Sequence, residues 1–306
     1  MGGETMGTRW HVRLAAPANF DRTALLAIID ARLETILAQM SHWRANSVLG
    51  RFNRSPGGTW CALPADFARV YQAALDVAER SGGAFDPAIG ELVNLWGFGP
   101  EPITSPPDET SLATARERGG IAHLAYDPDA RRLRQPGGVS LDFSGIAKGY
   151  AVDALGAVLR QRGCHHALVE IGGELLGMGL RPDGDPWWVD LETPAAGIAP
   201  LRIALHQLGV GTSGDYVRGR HTIDPRTGQP VMHALAVSVI HRSAMMADAW
   251  ATALTVETPA SMQELAVKEN LLVRAILRNH AGFSEWISPG LANLLVDPEA
   301  GKALEA

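Results

Sequence analysis

Asp248 and Thr252 stand four residues apart in the run Ala247-Asp248-Ala249-Trp250-Ala251-Thr252-Ala253. On a helix, positions i and i+4 share a face, with Cβ atoms about 5–6 Å apart. A carboxylate and a hydroxyl are both oxygen donors, which suits a hard cation such as Mg2+. The small alanines around them let backbone and ligand come close. The run also reads as an ordinary Ala-rich buried helix with an acid near its start, and these residues alone leave both readings open.

A second stretch with chemical potential is Ser144-Gly145-Ile146-Ala147-Lys148-Gly149. It leads into a helix whose apolar positions are Val152, Leu155, Val158 and Leu159. A glycine turn entering a helix offers outward N–H groups to anionic oxygens, and Lys148 adds charge. The glycine spacing fits neither a P-loop nor a dinucleotide fingerprint, and a tight structural turn is the other reading. Val210-Gly211-Thr212-Ser213-Gly214-Asp215-Tyr216 sets two hydroxyls and an acid between glycines. His221 precedes the polar turn Thr222-Ile223-Asp224-Pro225-Arg226-Thr227-Gly228, where it is either a structural histidine or a proton acceptor. Asp224 is a candidate orienter for it. The run Leu92-Val93-Asn94-Leu95-Trp96-Gly97-Phe98-Gly99 packs aromatics among glycines. It is either a surface for a flat ligand or a buried apolar corner.

The elements that must position these residues follow from periodicity. Trp10, Val12 and Leu14 alternate with His11 and Arg13, as in a half-buried strand. Asp21 caps a helix with Leu25, Ile28, Ile29, Leu33, Ile36 and Leu37 on one stripe. A short surface helix and turn is expected over 46–53. Pro64 opens a helix through Phe67, Val70, Tyr71, Leu75 and Ala78, closed at Ser81-Gly82-Gly83. A polar helix is expected from Thr104 to about Arg118, with Leu112 and Ala115 inward. A hairpin follows, Leu124-Ala125-Tyr126 with Arg132-Leu133-Arg134. Val139–Phe143, Ala167–Ile171, Leu175–Leu180, Trp187–Leu191, Arg202–His206 and Ala234–Ile240 read as strands, with a turn at Arg218-Gly219-Arg220. Helices are expected from about Ala244 and over about Ser261 to Leu272. Leu277 to Trp286 and the tail carry little signal.

The chain has 306 residues, enough for one large domain or two intimately packed lobes. Its net charge of −6 argues against a general nucleic-acid binder. Cys61 and Cys164 cannot build a disulfide framework. The apolar runs are too short for an integral membrane segment. No export signal or lipid cysteine stands at the N-terminus, so a cytoplasmic location is expected as written. A signal removed beforehand would make it periplasmic or membrane-associated.

Taken in order, these stretches resemble the family of FAD:protein FMN transferases. The resemblance runs from Met6-Gly7-Thr8 to the Asp248 helix, roughly four-fifths of the chain. It includes Asp86-Pro87, the Leu92–Gly99 run, Asp142 with Gly145–Gly149, Gly172-Gly173, Thr212–Tyr216, His221–Gly228 and Ala247–Ala253. It implies an α+β fold, with mixed or antiparallel sheet regions, packed helices and a flavin nucleotide cleft between them. It implies Mg2+-dependent transfer of FMN from FAD to a threonine or serine hydroxyl of a partner protein, releasing AMP. The alternatives are hydrolysis of FAD to FMN and AMP, or FAD binding without catalysis. Residue by residue, it implies a metal held by the carbonyl of Ala147 with Asp248 and Thr252. The nucleotide would meet Met6, Asp86, Trp96, Ser144, Gly145, Lys148, Gly173, Thr212, Ser213, Gly214 and His221. His221 and Asp248 would carry catalysis, and the loop at Trp96 would face flavin or adenine. The chain departs from the family pattern at Glu91, where proline is frequent, and at Ser144, where glycine is common. Glu174 stands where Asp or Asn is usual, the stretch from Tyr216 to His221 is short, and the lipid anchor of many members is not seen.

Overall fold

The computed structural model describes residues 1–16, 20–103, 105–216 and 219–295. Its centre is an eight-stranded, wholly antiparallel sheet, with helices packed against it. The first strands are β1 (Gly2–Thr5) and β2 (Thr8–Leu14), joined at Met6-Gly7. Trp10 and Val12 are buried and His11 and Arg13 exposed, as the alternation requires. The helix α1 (Arg22–Met40) is capped by Asp21, which accepts from the Ala24 N–H at 2.9 Å. The helix α2 (Val48–Asn53) lies where a short helix and turn at the surface are expected. It is instead anchored in the core through fully buried Leu49 and Phe52.

The strand β3 (Trp60–Ala62) and the helix α3 (Ala65–Arg80) follow, then α4 (Gly90–Leu95) and α5 (Glu109–Arg118). The polar helix thus begins at Glu109 and not near Thr104. Pro106 and Pro107 hold the chain extended, and Asp108 supplies the cap to Ser111 N–H at 2.7 Å. Thr104, Arg218 and the tail from residue 296 lie outside the described residues. The strands β4 (Ala125–Asp127) and β5 (Arg132–Arg134) form the expected hairpin, and β5 also pairs with β3.

Val139–Phe143 is not a strand. Its backbone groups go to separate partners. Ser140 O accepts from Gly90 N–H, Leu141 pairs with the Asn53 amide in both directions, and Asp142 N–H donates to Pro87 O. The segment is therefore pinned to α2, to the start of α4 and to the loop before it, and aims its end into the helix α6 (Ala147–Gln161). The strands β6 (Ala167–Ile171) and β7 (Glu174–Met178) form a hairpin, and β8 (Trp187–Leu191) and β9 (Leu201–Leu205) make a separate one. Then come β10 (Leu208–Gly214), β11 (Ala234–His241), α7 (Ala244–Val256) and α8 (Pro259–Lys268). The helix α8 ends at Lys268, short of the expected Leu272, because Leu272 opens β12 (Leu272–Asn279). β13 (Gly282–Ile287) and α9 (Pro289–Leu295) complete the described chain, so the stretch with little chemical signal holds the end of β12 and most of β13.

The large sheet runs β1-β2-β6-β7-β10-β11-β12-β13. Its central face is covered by α6 and α7, and α1 and α3 pack outside them. Among the described residues, no helix is long and apolar enough to cross a membrane.

Candidate active site

Two helix N-termini meet at the centre of the site and cap each other. Asp153 of α6 accepts from Ser243 Oγ at 2.6 Å, Ala244 N–H at 2.9 Å and Met245 N–H at 3.1 Å, all at the start of α7. In return, Asp248 Oδ2 of α7 accepts from Gly149 N–H in the first turn of α6 at 3.0 Å. Each carboxylate satisfies orphan N–H groups and meets the positive end of the other helix. The crossing needs glycine. A Cβ at Gly149 would lie 2.2 Å from Ala244 O, and one at Gly211 on β10 would lie 2.4 Å from Asp248 N. These glycines serve close packing around Asp248, which the turn chemistry alone does not reveal.

Asp248 and Thr252 share one face of α7, and both line a cavity of about 210 Å3. Gly145, Ser144 and Lys148 bound it on the α6 side, and Thr252 Oγ1 packs against Gly145. The Lys148 ammonium lies 2.5 Å from Glu174 Oε1 and 3.6 Å from Asp248 Oδ1. Burial raises the carboxyl pKa of both acids, and the opposing pull of Lys148 is smaller. Glu174 is pushed up to about 8. Two of the helix-start N–H groups expected to face an anion are already used, Ala147 N–H by Phe143 O and Gly149 N–H by Asp248.

The opposite wall comes from Asp86, Ile89, Val93 and Asp142. Asp86 accepts from Ala88 N–H at 2.7 Å and Ile121 N–H at 3.1 Å, yet burial still raises its pKa. Asp142 accepts from Ser144 N–H at 2.6 Å, and its other oxygen lies 3.7 Å from His42 Nδ1. The end of β10 closes a third side. There Thr212 Oγ1 meets Ser238 Oγ at 2.9 Å and Ser213 Oγ meets Thr222 Oγ1 at 3.5 Å. Tyr216 follows, its phenol pKa raised by burial and by the nearby charges of Glu192 and Glu174.

His221 stands at the rim with Thr222, Ile223 and Pro225. Its Nδ1 lies 2.9 Å from Gly219 O. A carbonyl only accepts, so this contact requires a proton on Nδ1. Asp224 is bound into the same loop. Its carboxylate takes Arg226 Nε at 3.0 Å, and Arg226 Nη1 reaches Glu257 at the end of α7 at 2.8 Å. The loop is thereby tied to the helix that carries Asp248.

Ser144, Gly145, Lys148, Asp86, Thr212, Ser213, Gly214, His221, Asp248 and Thr252 are thus brought to one cavity. The remaining four are next to it. Met6 forms the β1–β2 turn with φ 51°, two residues before cavity-lining Thr8. Gly173 sits between cavity-lining Gly172 and Glu174, and Ala147 precedes Lys148. Trp96 donates its indole N–H to Gly228 O at 2.8 Å and packs beside Leu92, Leu112 and Ile223. It braces the His221 loop from behind. Sequence reasoning gave no site role to Asp153, or to Glu174, which it noted only as a departure from the family pattern. Glu174 bonds Lys148 across 26 positions and Asp153 bonds Ser243 across 90, so no local spacing signals either.

Residues 6–277 match the profile of the ApbE family. The chain belongs to the ApbE family. An FAD:protein FMN transferase from Klebsiella pneumoniae is 33% identical, over 97% of this chain and 89% of its own length. The structure of the flavin transferase ApbE from Vibrio cholerae superposes with a TM-score of 0.89 at 33% identity, covering 96% of this chain and 97% of that one. The apo form of the Pseudomonas stutzeri flavinyl transferase ApbE gives 0.89 at 35% identity, covering 96% and 95%. As an ApbE-family member, the chain is an enzyme of the flavin transferase class.

Proposed function

We propose that this enzyme moves FMN from FAD onto a threonine or serine hydroxyl of a target protein, with Mg2+, and releases AMP. The observation that carries the reading is the meeting of Asp248, Thr252, Lys148 and His221 around one cavity. The donor chemistry fits a hard cation. Asp248 is a buried carboxylate and Thr252 adds a hydroxyl, although no three His, Cys, Asp or Glu side chains cluster among the described residues. Asp248, Thr252 and the carbonyl of Ala147 would hold Mg2+. Bound there, the ion would neutralise charge on the pyrophosphate oxygens.

The acceptor hydroxyl oxygen forms a new bond to the FMN phosphorus, and the bond from that phosphorus to the bridging oxygen breaks. AMP leaves with the bridging oxygen and its electron pair. His221 Nε2 takes the hydroxyl proton, and the Gly219 carbonyl steadies the imidazolium through Nδ1–H. The Lys148 ammonium faces the phosphates, with Ser144 and Gly145 at the same helix start. The deciding experiment is mass spectrometry of a candidate acceptor incubated with the enzyme, FAD and Mg2+. Addition of an FMN group with equimolar AMP supports transfer. AMP release with an unmodified acceptor identifies hydrolysis, and FAD binding without turnover identifies a carrier.

A further inference from the structure

Glu174 opens β7 directly after the Gly172-Gly173 turn, so its backbone is fixed by the sheet register. Its side chain is 2% exposed and lines the cavity. One oxygen, Oε1, is 2.5 Å from the Lys148 ammonium. The other, Oε2, is buried and has no hydrogen-bond partner among the described residues. A buried carboxylate oxygen left bare is strongly unfavourable, and cavities with such an atom are places where a ligand completes the set.

The same ammonium lies 3.6 Å from Asp248 Oδ1. Two buried carboxyl groups therefore share one ammonium. Both acids are held on fixed elements, Glu174 on the sheet and Asp248 by the Gly149 N–H. Lys148 is the long, flexible member, and at 23% exposed it is also the most solvent-accessible of the three. We propose that Glu174 is a ligand of the cation site, forming with Asp248 a two-carboxylate seat that the Lys148 ammonium occupies until a divalent cation replaces it. The displaced ammonium turns toward the cavity, where substrate phosphate lies. The inference rests on the reading of Asp248 and Thr252 as the cation site. It gives this chain one more anionic ligand than Asp248 alone provides, and ligand charge count sets affinity for hard cations.

The test is Mn2+ binding to the protein alone, followed by electron paramagnetic resonance of the free ion, without FAD or acceptor. Glu174→Gln keeps the shape and removes the charge, and Mn2+ affinity should fall about tenfold or more. Lys148→Met removes the competing cation, and affinity should rise. Glu174→Asp keeps the charge and should bind more tightly than Glu174→Gln, which protects the comparison if either variant is poorly folded. Wild-type affinity in Glu174→Gln would overturn the ligand role and leave Glu174 as an anchor for Lys148. Unchanged affinity in Lys148→Met would overturn the exchange. Asp248→Ala separates the two levels. Loss of binding there with none in Glu174→Gln rejects this inference only, whereas intact binding in Asp248→Ala rejects the cation site itself.

Discussion

Asp248 has two duties, one to a neighbouring helix and one to the cavity, and Thr252 lines the cavity beside it. Their substitutions should therefore differ. Asp248→Ala should abolish most Mg2+-dependent turnover and also lower stability, because Gly149 N–H loses a buried partner, at about 1–3 kcal/mol. Thr252→Val keeps the volume and should weaken Mg2+ dependence with little change in melting temperature. Titrating turnover against Mg2+ beside a urea denaturation series checks both. An unchanged Mg2+ response in both variants would remove the pair from the metal. For His221→Asn, half-buried at the rim, the expected result is a fall in transfer rate of roughly 10²–10⁴-fold at saturating substrates. A near-wild-type rate with the same profile from pH 6 to 9 would assign the proton to another acceptor.

The pairing of α6 with α7 is the element that makes the site, since it sets both Asp248 and Lys148. Asp153→Ala removes three hydrogen bonds at the α7 start, and the loss of such a cap costs about 1–2 kcal/mol. A lower urea midpoint with unchanged slope is expected. Gly149→Ala acts by overpacking. Its Cβ would meet Ala244 O at 2.2 Å, which is backbone and cannot swing away. The helices must part, at about 1–3 kcal/mol, and Asp248 moves with them. Loss of turnover beyond the loss of stability is the outcome to look for, with FAD binding measured on the same sample. Full activity in a stable Gly149→Ala protein would show that the close crossing is not needed.

At the scale of the whole molecule, buried acids give stability an unusual pH trend. Burial raises the folded-state pKa of Glu174 to about 8 from an ordinary 4.5, and raises that of Asp248 as well. Across that window the folded protein keeps a proton that the unfolded chain has released. Stability therefore falls as pH rises, and levels off above the folded pKa. Asp66 pulls the other way in acid. Its hydrogen bond with Arg32 lowers its pKa, so its contribution is full above the ordinary carboxylate range and is lost as pH falls through the folded value. The cation-free protein should thus melt highest in mildly acidic buffer, with a decline toward pH 8 that Glu174→Gln reduces. Calorimetry across pH 4 to 9 reads both limbs. A melting temperature rising steadily to pH 8 would show Glu174 to be ionised in the folded state.

Much of this enzyme is legible in the amino-acid order because its signals are local. The i, i+4 spacing of Asp248 and Thr252, the Asp21 cap and the alternation of Trp10 and Val12 each depend on neighbours within a few positions. Ten of the fourteen expected site residues line one cavity, and each belongs to a short run whose residue types stand out among its neighbours. What failed was non-local. Val139–Phe143 has strand-like residues but no strand beside it, and β12 and β13 acquire their identity by pairing, β12 onto β11 and β13 onto β12. The Trp96 run reads as a ligand surface or a buried corner, and its tie through the indole N–H to Gly228, 132 positions away, has no local signal. Glu174 gains its environment from Lys148 and Asp248, on two other elements. A side chain's type and spacing determine what it is able to do. Which groups share a low-dielectric pocket, and so which acids are raised and which oxygen is left bare, is decided only when distant elements close around it.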